Sequence, residues 1–224
     1  MKLAKYFFIT VFSFSLIACA GAMPVRPDKQ GFTALERDVI KEVNFARTKP
    51  KEYAKVLEKH LEHYDGKLIK YQGKINLMTV EGGSAVKEAI GFLKKQKPLS
   101  PLTPSRGLTL ASADHVADQS DSGKVGHSGR DDSTPFDRMV RYGAWLNTAG
   151  ENIDYGNDEG RRVVMALIID DNYPSRGHRI NIFDKDFGAI GVACGTHPVY
   201  RHMCVMGLAG GFTELENKGN FSVK

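Results

Sequence analysis

From Leu35 onward the apolar positions fall at Val39, Ile40, Val43 and Ala46, and beyond Pro50 at Tyr53, Ala54 and Leu57. Steps of three and four put these on one helix face. Thr33 and Glu36 have capping-box spacing at its start. Pro50 lacks an amide proton and splits the run into two helices. Ser84–Lys95 (SAVKEAIGFLKK) has the same periodicity. A further helix ending at Gly123 buries Leu108, Leu110, Ala111, Ala113, His115 and Val116, with His115 a helix-face residue rather than a ligand. Thr134-Pro135-Phe136-Asp137 opens another helix, running to about Tyr142: Thr134 is a good cap, Pro135 suits the first helical position, and Asp137 reaches back to the orphan amides. Asn157-Asp158-Glu159 opens an apolar helix through Val163, Val164, Leu167, Ile168 and Ile169.

Two late stretches change character. GAIGVACG and HMCVMGLAGGF read as glycine-interrupted strands that form a hairpin. Between the regular elements, HYDGKLIKYQGKINLMTVEGG is a short hairpin or loop, KPLSPLTPS is extended, TAGENIDYG is irregular, and DDNYPSRGHRINIF is a turn with a short helical piece. Helices on a small antiparallel sheet make a layered α+β fold.

The N-terminus stands apart from this pattern. MKLAKYFFITVFSFSLIAC has Lys2 and Lys5, an apolar run from Tyr6 to Ala18, and then Cys19. The run is short for a membrane span, and the order of features is that of an export signal. Leu16-Ile17-Ala18-Cys19 resembles a bacterial lipobox, in which Cys19 is acylated and becomes the first residue. The alternative is an ordinary signal peptide cut near Ala20 or Ala22. Ala20 after Cys19 resembles an outer-membrane sorting signal, should the host have two membranes. The domain reading is therefore a signal peptide over 1–18, a lipid-anchored tether over 19–31, a folded domain over 32–216 and a tail over 217–224.

Three cysteines are an odd count for an exported chain. With Cys19 carrying lipid, Cys194 and Cys204 remain as a pair on neighbouring strands. A disulfide fits an oxidising compartment; two reduced core cysteines are the alternative. Net charge is +5, and removing Lys2 and Lys5 leaves +3. The basic residues are spread along the chain with no dense stripe, so no nucleic-acid partner is expected.

The candidate chemistry lies in three short segments. His127 sits between glycines in GHSG, Glu151 lies in GENI, and His178 lies in SRGHRINIF. In this order, followed by the GAIGVACG strand, they resemble the CAP superfamily, which includes cysteine-rich secretory proteins and bacterial SCP-like extracellular domains. The resemblance covers roughly Leu35 to Phe212. It implies a three-layer α-β-α sandwich around a small antiparallel sheet, with residues 60–104 as an insertion relative to compact members. It also implies a cleft holding two histidines and two acids. His127, His178 and Glu151 match three of these, and Asp170 or Asp171 takes the place of the family's second glutamate.

Two imidazoles and carboxylates suit Zn²⁺ or another divalent metal, and also acid–base work. There is no HExxH and no GxSxG elbow, and no cysteine lies near His127 or His178 to act as nucleophile. The expectation is a non-enzymatic cell-envelope binding module, joined to the membrane by its lipid anchor and taking a lipid, glycan or peptide ligand. The alternatives are a metal-dependent hydrolase acting on peptides or cell wall, and a structural or adhesion protein.

Overall fold

The computed structural model describes residues 31–70 and 76–215. The signal peptide, Cys19 and the 217–224 tail lie outside the described residues. Helices α1 (Ala34–Thr48) and α2 (Pro50–Leu61) meet at Pro50. The capping box on α1 is formed: the Thr33 amide donates to Glu36 Oε2 at 2.7 Å and the Glu36 amide donates to Thr33 Oγ1 at 3.3 Å. Three two-residue strands follow, β1 (Tyr64–Asp65), β2 (Leu68–Ile69) and β3 (Leu77–Met78), paired antiparallel in that order. Helix α3 (Gly83–Lys95) then packs on α2 through Ala85, Val86, Ala89, Ile90 and Leu93.

The main sheet has the order β4-β6-β7-β5, with β4 (Thr103–Pro104), β5 (Gly143–Tyr155), β6 (Ala189–His197) and β7 (Arg201–Glu214). Its long pairs are antiparallel, and only the short β4–β6 pair is parallel. The remaining helices are α4 (Arg106–Ser122), α5 (Pro135–Val140), α6 (Gly160–Ile169) and α7 (Gly177–Ile182).

Strand alternation sorts the core into two layers. Ile190, Val192, Cys204, Met206 and Leu208 face α1, α2, α3 and α6. On the opposite face, Ala189 and Ala209 pack with Leu108, Ala111 and Met139, and Ala193, Met203 and Val205 pack with Val116 and Ile153. The result is the expected α-β-α sandwich. The glycines of β6 have a packing reason: a Cβ on Gly191 would lie 2.2 Å from the α4 backbone. Cys194 and Cys204 sit directly opposite in the β6–β7 register and are bridged, with Cα atoms 4.1 Å apart.

Three local expectations change. The TAGENIDYG stretch is not irregular: all of it but Gly156 lies in β5, which pairs with β7 across a bulge between Leu146 and Ala149. Helix α6 begins at Gly160, because Asn157 spends its side chain on Asp154 rather than on a cap. Leu110 is 38% exposed and does not join the core.

Candidate functional site

Edge strand β5 organises the site by using both of its faces. Glu151 points to the α4–α5 side, and its neighbour Asn152 points to the α6–α7 side. Glu151 is nearly buried, and its two oxygens are both engaged. Oε1 meets His127 Nδ1 at 2.8 Å, and Oε2 accepts from Arg138 Nη2 at 2.8 Å. Arg138, itself 2% exposed, also donates to the His127 and Ser133 carbonyls. The Thr134 cap fixes α5, and α5 presents Arg138 to this carboxylate. His127 follows Gly126, whose φ of +99° suits glycine. The Gly126 amide donates to Tyr155 Oη at 3.0 Å, and its carbonyl lies 2.8 Å from Nε2 of buried His115. His115 thus supports the loop from the helix face, and burial lowers its pKa.

The second histidine is held in a parallel way. Asp170 ends α6 in the left-handed conformation, at φ 56°. From there Oδ1 meets His178 Nδ1 at 2.7 Å, and Oδ2 accepts the His178 amide at 3.0 Å. Asn152 adds a bond from Nδ2 to the His178 carbonyl at 2.9 Å. Asp171 turns the other way. Its oxygens accept the amides of Val80 at 2.7 Å and Glu81 at 2.8 Å, pinning the segment after β3. The structure therefore brings His127, Glu151, His178 and Asp170 to one cleft, while Asp171 touches the cleft but serves the neighbouring loop.

With Nδ1 of each imidazole on a carboxylate, the proton is assigned to Nδ1, and Nε2 carries the lone pair in the neutral ring. Neither Nε2 has a protein partner among the described residues. Both histidines line one cavity of about 540 Å³. Its other walls are largely apolar, including Ile69, Leu77, Ile153, Met165, Leu167 and Tyr173.

The donor set bears on a metal. Both oxygens of Glu151 and both of Asp170 are already engaged, so they orient imidazoles instead of facing an ion. No three His, Cys, Asp or Glu side chains among the described residues are placed to hold an ion together. The side-chain nitrogens these contacts leave open are Nε2 of His127 and Nε2 of His178.

Asp154 and Arg138 are site residues that sequence reasoning missed. Asp154 is 5% exposed, lines the same cavity and accepts from Asn157 Nδ2 at 2.9 and 3.1 Å. Burial pushes its pKa up to about 7, against the Asn157 hydrogen bonds and the charge of His178. Its one signal is an acidic position three residues after Glu151, in a stretch whose pattern does not read as a strand. Arg138 carries no signal, since arginine in a short exposed helix is ordinarily solvated.

The chain has recognisable relatives among known proteins. It is 32% identical over 99 residues to YkwD, an uncharacterised protein of Bacillus subtilis (strain 168), a match spanning 44% of this chain and 37% of that protein. Among solved structures it resembles an outer surface protein of Borrelia burgdorferi, at TM-score 0.42 and 22% identity over 50% of this chain and 78% of that one. It also resembles an extracellular protein containing an SCP domain from Bacillus anthracis str. Ames, at TM-score 0.41 and 20% identity over 57% of this chain and 37% of that one. The model of the cysteine-rich secretory protein (CAP) family matches residues 41–207, so the chain belongs to the CAP family.

Proposed function

We propose that the protein is an exported, lipid-anchored binding module of the cell envelope, whose cleft takes an amphipathic ligand. The observation that carries this is the cavity of about 540 Å³ in which two outward imidazole nitrogens share space with apolar walls. That volume lies within the usual range for small-ligand sites. An apolar body would cover Ile69, Leu77, Met165 and Leu167, while polar groups would meet the cavity's polar edges. A divalent ion held by His127 and His178 would add a positive charge able to polarise a ligand oxygen. The carboxylates of Glu151 and Asp170 keep each ring in the tautomer such an ion needs.

Zinc titration calorimetry on the protein beside a His127→Ala/His178→Ala variant tests the metal component. The expected result is binding by the wild type that the variant loses. Heat from both proteins, or from neither, would remove the ion from the proposal. Membrane fractionation tests the anchor: Cys19→Ser should move the protein from the membrane pellet to the soluble exported fraction. A variant that still sediments with membranes would refute acylation at Cys19.

One observation favours a hydrolase as the second reading. Each imidazole is backed by a carboxylate, an arrangement that prepares Nε2 to take a proton from water. The largely apolar walls of the cavity favour the binding module.

A further inference from the structure

The cavity that holds the histidine pair continues past its apolar walls. His60, Arg162 and Met165 line it and also line a second depression of about 430 Å³ between α2 and α6. This depression gathers Lys55 and Lys59 from α2 and Arg161 and Arg162 from α6. The two lysines stand one turn apart on the exposed face of α2 and have no ion-pair partner among the described residues. Arg161 meets Glu42 at 2.8 Å, and the half-buried Arg162 meets the exposed Glu159 at 2.8 Å. Among the described residues, four cations against two carboxylates leave two positive charges in excess. His60 adds no charge at neutral pH, because burial, then His63 and Arg162, lower its pKa to about 4.

Helix α6 joins the two spaces. Arg162, Ala166 and Ile169 fall at i, i+4 and i+7, so one stripe carries a cation in its first turn and apolar side chains beyond. The apolar walls, Ile69, Leu77, Met165 and Leu167, present no side-chain hydrogen-bonding groups to a peptide backbone, which would have to leave its polar groups unpaired there. An alkyl chain has no such need. His127 and His178 do not line the cationic depression.

We propose that the composite site binds a single-chain anionic amphiphile, its chain in the larger cavity and its phosphate or carboxylate head against Lys55, Lys59, Arg161 and Arg162. This rests on the amphipathic-ligand reading above and adds the sign and the place of the head group.

The test uses three probes with the same chain, each below its micelle concentration: dodecyl phosphate, dodecylphosphocholine and dodecyl maltoside. Dodecyl phosphate should bind the purified protein about tenfold tighter than the other two. Lys55→Glu/Lys59→Glu should abolish that preference and leave the other two affinities unchanged. Both positions are exposed, thermal melting checks that the fold is intact, and Lys55→Ala/Lys59→Ala should show the same effect at smaller amplitude. Ala166→Trp, at an exposed position lining the larger cavity, should weaken all three probes. Equal binding of the three, or a preference that survives the lysine variants, would overturn the head-group assignment and leave the amphipathic cleft standing. If none of the three binds, both readings fall.

Discussion

Asp154 lies three residues after Glu151 on β5 and is buried beside the same cavity, with the Asn157 side-chain amide bonded to its carboxylate. Its folded pKa is about 7, raised by burial, whereas an unfolded aspartate titrates near about 4. Between those values the folded chain holds a proton that the unfolded chain has released. The contribution to stability is therefore complete below about pH 4 and is lost as pH rises towards 7. Asp154→Asn keeps the shape and cannot ionise. Urea unfolding of the two proteins from pH 4 to pH 8 should show a difference that is small at the acid end and grows in the variant's favour up to about pH 7. Parallel curves would mean that Asp154 is ionised throughout and that the cavity wall there is better solvated than its burial implies. The neighbouring Glu151 differs in its partners, which are Arg138 and His127.

At the level of elements, the caps that mark α1 and α5 in the sequence correspond to real hydrogen bonds, α2 starts at Pro50, α4 stops before Gly123, and the β6–β7 hairpin follows from its apolar runs. Strand β5 is illegible for a physical reason. Its inward positions include Glu151, Asn152 and Asp154, which are buried because each finds a polar partner, so the apolar alternation that announces a strand is absent. The motif histidines and Glu151 can be read from their flanking residues. The choice between Asp170 and Asp171 cannot, because it depends on Asp170 taking the left-handed cap of α6 and on Asp171 meeting the backbone of residues 80 and 81. Spacing is a one-dimensional signal. It finds faces of elements, but it does not show which of two adjacent carboxylates a helix end will turn into a cleft.

Across the whole molecule, the cleft depends on a residue outside it. Arg47, at the end of α1 and 1% exposed, donates to four carbonyls: Ser100 from Nε at 3.0 Å, Ile182 and Asp184 from Nη1 at 2.7 and 2.8 Å, and Phe187 from Nη2 at 3.2 Å. These acceptors belong to the stretch before β4 and to the turn between α7 and β6, so one side chain joins three distant parts of the chain. Burial lowers its pKa only against the pull of Asp184, and arginine stays charged under such conditions. Arg47→Leu would leave these four carbonyls without their donor, each at a cost of about 1–3 kcal/mol, for a total of at least about 4 kcal/mol. Arg47→Lys keeps the charge but has a single nitrogen in place of the fork, and should fall between the two. Chemical denaturation should rank them wild type, lysine, leucine. On the proposed metal reading, the same order should appear in zinc affinity, because Ile182 ends the short helix that carries His178. If the leucine variant lost stability while zinc affinity held, α7 would be positioned by Asp170 and Asn152 alone, and the clamp at Arg47 would serve the core without reaching the cleft.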